Sequence, residues 1–156
     1  MHKQRLRRLD FIYTRCPLYF VTACTHTRVR RLACDEVHQK LIEFAECATG
    51  RGVWVGRYVV MPDHLHLFAA FRPESLTLSA WIKSLKNTLS KTLRTMATPT
   101  PHWQDGFFDH LMRSGESYDE KWRYVRENPV RAGLVARWDD WPYQGEIHQV
   151  AFPESL

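Results

Sequence analysis

Two β-prone runs stand back to back in the middle of the chain, Val53 to Val60 and His64 to Phe71, divided only by Met61-Pro62-Asp63. β-branched and aromatic residues favour extended backbone and proline interrupts it, so the pair predicts a hairpin or a bent double strand. The second run alternates, which puts His64 and His66 on one side of a strand and Leu65 and Leu67 on the other, toward a core. Leu18 to Thr25, after Pro17, reads as an earlier strand. Val37, Leu41, Phe44, Ala45 and Ala48 recur at helical spacing from an N-cap at Asp35, with Gly50 just past the end. A longer helix, capped by Ser75 or Thr77, carries the stripe Leu78, Trp81, Ile82, Leu85, Leu89 and Leu93 as far as Arg94. Trp103 to Met112 supplies a last strand. A third helix follows, with Ser117 as N-cap and Tyr118, Trp122 and Val125 buried; it stops near Asn128, because the residue before Pro129 is driven out of the helical region. The order β, α, β, β, α, β, α is the split βαβ plan of the ferredoxin-like α+β fold, with one sheet, helices on one face and an added C-terminal helix.

At 156 residues this is expected to be one domain, with a basic arm over 1–15 and a tail over 142–156. The composition is that of a globular chain, 44% hydrophobic and 25% charged. No apolar run suits a membrane span or a signal peptide, so a cytosolic, nucleoid-associated location and no membrane partner are expected. Cys16, Cys24, Cys34 and Cys47 form no Cys-x-x-Cys pair and read as reduced thiols. Lys and Arg outnumber Asp and Glu by 22 to 17. The excess is concentrated: residues 1–31 hold eight basic side chains against the single acid Asp10, and Ser75 to Gln104 contains no acid. Two basic segments suggest a face that tracks phosphates, although an ordinary solubilising surface fits the charge equally.

His64 and His66 could converge on one metal ion if a third ligand came from another element; alone, the pattern also fits a half-buried strand with two exposed histidines. Tyr124 and Asn128 are four apart on the third helix, on a face the core does not need. On the pattern alone an ordinary amphipathic tyrosine and a helix-ending asparagine is the better reading. Taken together, a metal, a tyrosine and a basic face suit attack of a phenol on a phosphodiester, with the bond energy kept in a phosphotyrosine. No Gly-x-x-x-x-Gly-Lys loop is present among seven glycines, and no nucleotide cofactor is expected.

Met61-Pro-Asp-His-Leu-His-Leu-Phe68 resembles the histidine-hydrophobe-histidine signature of single-tyrosine transposases of the IS200-like type. Trp103-Gln-Asp-Gly-Phe-Phe-Asp-His110 with Arg113, then Tyr124-Val-Arg-Glu-Asn-Pro-Val-Arg-Ala-Gly-Leu134, resembles the REP-associated tyrosine transposases in particular, in the same motif order. The resemblance implies a ferredoxin-like fold and a substrate of single-stranded DNA beside an imperfect palindromic hairpin. It implies cleavage and rejoining through a 5′-phosphotyrosine, with Mg²⁺ or Mn²⁺ as cofactor. His64 and His66 match the family's metal histidines, Tyr124 its nucleophile, and Asn128 the position of a third ligand. Asp63 stands where the family often has Asn, and Asn128 where its more mobile branch tends to have Gln.

Lys121, three residues before Tyr124 on the same face, could hold the scissile phosphate or be a solvated lysine. Lys83, Lys86, Arg5, Arg7 and Arg8 are the candidates for hairpin phosphates. His110 and Arg113 could adjoin the site or steady their own segment. Trp54 and Trp103 could stack on unpaired bases, whereas Trp81, on the apolar stripe, is better suited to the core. The alternative function is a non-catalytic hairpin-binding module of the same fold, against which stands the missing RNA-binding sheet signature. A replication or transfer initiator would need a second domain that 156 residues do not hold. A monomer is favoured over a pair with exchanged tyrosines.

Overall fold

The computed structural model describes residues 16–152. Arg5, Arg7 and Arg8, with the rest of the basic arm, lie outside the described residues. The elements are β1 (Leu18–Cys24), α1 (Asp35–Cys47), β2 (Val53–Val60), β3 (His64–Phe71), α2 (Leu78–Thr95), β4 (Phe108–Met112), α3 (Gly115–Val125), the single turn α4 (Asn128–Arg131) and β5 (Gln144–Glu146). The five strands form one sheet in the order β4-β1-β3-β2-β5, antiparallel throughout. The central pair is β1 and β3, in a register that sets Thr22 opposite His66 and Cys24 opposite His64.

The sheet is apolar on both sides. Leu65, Leu67, Ala69 and Phe71 face α1 and α2, where they meet Val37, Leu41, Trp81, Leu85 and Leu89. The other set of β3 residues changes character midway, from His64 and His66 to Phe68 and Ala70. Phe68 and Ala70, with Phe20, Trp54 and Val59, receive Tyr118, Trp122 and Val125 of α3. The pair of helices expected on one face is there, and the added helix covers the opposite face. Its apolar cover engages the half of that face that is hydrophobic, and the two histidines lie at the other half.

Several local expectations are corrected. α1 begins after an N-cap at Cys34, so Asp35 is its first residue. Ser114, not Ser117, caps α3, and Ser117 completes a capping box by returning a hydroxyl to the Ser114 N–H. Asn128 does not leave helical space: it opens α4 with Pro129 in the first turn, where a missing N–H has no intrahelical partner to lose. The last strand of the plan is confined to Phe108–Met112, and Trp103 makes only an isolated bridge to Thr25. β5 has no periodicity to announce it; Glu146 and Asp119 both pair with Arg57 of β2 and tie the tail and α3 to the sheet. Trp81 and Trp54 are buried, and the Trp103 indole donates to Lys86 O and Ser90 Oγ, so the tryptophans are packing residues rather than exposed stacking surfaces.

α3 approaches the sheet closely at Gly56. A Cβ there would sit 2.6 Å from the Tyr118 hydroxyl, which accepts a hydrogen bond from the Arg57 N–H at 3.1 Å. Gly56→Ala should therefore push α3 outward and destabilise the protein by roughly 1–3 kcal/mol, read as a lower urea midpoint with an unchanged slope.

Candidate active site

The Met61-Pro62-Asp63 turn delivers His64 and His66 to the α3 face of β3, with ring centroids 4.6 Å apart and planes at 78°. The Asp63 carboxylate accepts from His64 Nδ1 at 2.8 Å, which assigns the proton to Nδ1 and leaves Nε2 with its lone pair. His66 Nδ1 shares a 2.8 Å hydrogen bond with Thr22 Oγ1, the cross-strand partner set by the register. In the tautomer whose Nδ1 donates to Thr22, the Nε2 lone pair of His66 is open to a metal. Burial, together with the charges of His64, Lys121, Arg131 and Arg28, pushes the His66 imidazole down to about 3, so it is neutral. Burial also lowers His64, against the pull of Asp63.

Asp63 is itself clamped. Arg28 Nε donates to Oδ2 at 2.9 Å, and that bond with the one from His64 outweighs burial and holds the carboxyl below its ordinary range. Arg28 and its neighbour Thr27 are both left-handed, at φ 58° and 52°, a conformation uncommon for residues with a Cβ. The turn is fastened by Thr25, whose hydroxyl meets Val29 O and Asp63 O at 2.9 and 3.0 Å.

Tyr124 projects from the exposed side of α3, opposite Tyr118, Trp122 and Val125, and is 62% exposed. The Arg131 guanidinium lies 4.1 Å from its ring centroid and also donates to the Tyr124 carbonyl at 2.8 Å. Lys121 Nζ lies 5.9 Å from the same ring and 4.8 Å from that of Phe20, which stacks on His66 at 5.2 Å. The chain of contact from tyrosine through lysine and phenylalanine to histidine is thus continuous on one face. Three cations act on His66 there, so the face carries a positive potential suited to a phosphodiester.

His64, His66, Lys121 and Tyr124 are brought together, and Asn128 adjoins them through Arg131. The Asn128 amide oxygen accepts from that guanidinium, one helical turn beyond Tyr124. Lys83 is exposed on α2, across the sheet from the histidines. Lys86 is half-buried, and its ammonium donates to Gln104 O at 3.0 Å and to Gly106 O. His110 pairs with Phe20 on β4 and so stands on the histidine face, whereas Arg113 follows the strand, exposed. Sequence reasoning missed Arg28, counted only among eight basic residues, and Thr22, whose role needs the register. It missed Arg131 too: reading Pro129 as a stop hid the helical spacing that returns this residue to Tyr124.

The fit for a divalent cation can be judged from the donors. Two neutral imidazoles, each with Nδ1 engaged and Nε2 free, are what a metal requires of histidine, and the carboxylate behind His64 is the usual orienting partner. Among the described residues no cluster of three His, Cys, Asp or Glu side chains accompanies them. The pair fits two positions of an open divalent-cation site, in which oxygen donors from substrate and water would have to complete the shell.

The family profile described as "Transposase IS200 like" matches residues 15–128. A provisionally named REP-associated tyrosine transposase of Haemophilus influenzae (strain ATCC 51907 / DSM 11121 / KW20 / Rd) is 23% identical over 156 residues, covering 92% of this chain and 89% of its own. A REP-associated tyrosine transposase of Escherichia coli (strain K12) is 25% identical over 97 residues, 62% of this chain and 56% of its own. Among solved structures, a REP-associated tyrosine transposase bound to a REP hairpin superposes with a TM-score of 0.68 at 19% identity, covering 90% of this chain and 92% of that one. A provisionally assigned transposase from Deinococcus radiodurans superposes with a TM-score of 0.51 at 19% identity over 72% and 90% of the two chains. The matched profile spans β1 to α3 and so takes in His64, His66 and Tyr124.

Proposed function

The chain belongs to the IS200-like transposase family, whose members cut and rejoin DNA, and from that premise we propose that Tyr124 cleaves single-stranded DNA beside an imperfect palindromic hairpin. The observation that carries this reading is the exposed Tyr124 phenol, flanked by Arg131 and Lys121, on the sheet face that bears two neutral histidines. The structural neighbour bound to a REP hairpin supports the choice of substrate.

Tyr124 Oη attacks the phosphorus in line and gives up its proton. The bond to the 3′ oxygen breaks, the 5′ phosphate stays on the tyrosine as an ester, and the departing 3′ oxygen takes a proton. Return attack by a 3′ hydroxyl reverses these bonds and rejoins the strand without a nucleotide cofactor. Lys121 and Arg131 balance the charge on the phosphate oxygens and hold the phenol ring, and Asn128 fixes the guanidinium. His64 and His66 would hold Mg²⁺ or Mn²⁺ through Nε2, and the ion, when bound, polarises a non-bridging oxygen. The contacts that run from Tyr124 through Lys121 and Phe20 to His66 all lie within one chain, which supports a monomer acting in cis on intracellular DNA. Among the described residues no helix is long and apolar enough to cross a membrane.

Incubation with Mn²⁺ and a labelled oligonucleotide carrying a palindromic hairpin with single-stranded flanks should yield a protein–DNA adduct that survives denaturing electrophoresis and is lost with EDTA. No adduct under any divalent ion would leave the hairpin-binding module as the better reading. The support of His64 by Asp63 has its own test. Asp63→Ala frees the imidazole to turn and should weaken Mn²⁺ binding by roughly 10- to 100-fold, measured by electron paramagnetic resonance titration.

A further inference from the structure

A cavity of about 170 Å³ opens between β1 and the segment entering β4, lined by Thr22, Cys24, Gln104, Asp105, Phe107 and Phe108. Phe108 is 70% exposed, the most exposed large apolar side chain among the described residues. The fold leaves most of it uncovered, and an edge strand ordinarily carries charge in such a place. The register puts Phe108 opposite Thr22, and Thr22 opposite His66, so the phenyl ring stands on the histidine face, two strand spacings or about 10 Å from His66. The cavity wall is braced by hydrogen bonds. Lys86 holds the carbonyls of Gln104 and Gly106, the Gln104 N–H donates to Cys24 O at 2.9 Å, and Gly106 takes the left-handed turn at φ 73°. Asp105 is among the lining residues, and its negative charge disfavours a phosphate there but not a flat aromatic ring.

We infer that this cavity receives one unpaired base of the strand that crosses the histidine pair, with Phe108 as its stacking surface, an assignment that rests on the DNA-cleaving reading above. The base is a near neighbour along the strand of the phosphate presented to Tyr124. A ring prepositioned for stacking holds that phosphate in register at small entropic cost, since Phe108 has few torsions to immobilise and Lys86 has already ordered the loop.

The test uses the non-cleaving Tyr124→Phe protein and hairpin oligonucleotides with single-stranded flanks, each carrying 2-aminopurine at one unpaired position. One position should show fluorescence quenching on binding. Phe108→Ala should abolish that quenching and weaken affinity by roughly 5- to 150-fold. Phe108→Tyr, which keeps the ring, should restore both. The substituted side chain is exposed, so the variants should fold normally. Quenching that persists at every position in Phe108→Ala would overturn the inference, as would an equal loss of affinity for a hairpin without flanks. The two readings separate cleanly: an adduct with wild-type protein and unaltered quenching in Phe108→Ala removes only the base pocket. Phe108-dependent quenching without an adduct removes only the chemistry.

Discussion

Tyr124→Phe will remove the covalent protein–DNA product and leave hairpin binding within about 0.5 kcal/mol of wild type. The variant lacks a single oxygen. Its ring still offers a face to Arg131 and Lys121, and because the side chain is 62% exposed and outside the packed stripe of α3, the fold does not depend on it. Loss of a nucleophile takes its partners' contribution with it, so strand cleavage should fall by roughly a thousandfold or more rather than by the modest factor of a lost contact. Denaturing gels read the adduct and fluorescence anisotropy reads the binding. A persistent adduct would assign the chemistry to another hydroxyl and undo the proposed mechanism.

His64→Ala should be almost as damaging to cleavage and for a separable reason. It removes one of two imidazoles whose Nε2 atoms are free, and it leaves Asp63 with Arg28 as its remaining hydrogen-bonded side-chain partner. Supporting groups around a metal are worth roughly 10- to 100-fold, so loss of a ligand should exceed that in Mn²⁺ affinity and in cleavage rate. Hairpin binding should survive, because phosphate contacts by basic side chains dominate affinity for nucleic acid. Binding and cleavage lost together, with a lowered thermal midpoint, would make the histidine a structural residue. Wild-type protein in EDTA should reproduce the variant: bound hairpin, no adduct.

Much of this architecture could be read along the chain. The limits of β2 and β3 follow from residue type and from the proline turn, and the stripe from Leu78 to Leu93 places α2 to within a residue. The side of β3 that carries the histidines follows from alternation alone, and Tyr118, Trp122 and Val125 mark the buried side of α3 and so the exposure of Tyr124. The errors have a common character. Ser117 and Asp35 are residue types that suit a cap, but backbone angles choose the position: Ser114 caps α3 through its hydroxyl, and the extended residue before α1 is Cys34, which makes no side-chain capping bond. Three residues of β5 carry too little pattern to announce a strand, which exists because β2 has an edge to pair.

What the sequence determined by itself is therefore the set of elements, the face each residue takes on its own element, and the chemical pair of histidines and tyrosine. Periodicity encodes these, and periodicity is local. Only the tertiary structure decided that α3 lies across the sheet from α1 and α2, placing Tyr124 on the face that carries the histidines and leaving Lys83 on the far side. It alone drew Arg28 and Thr22 to His64 and His66, turned Lys86 inward to brace a loop, engaged Asn128 with Arg131 and left Phe108 uncovered. Strand register and the choice of layer are settled by burial and pairing between segments far apart in the chain, and no window of consecutive residues contains that information.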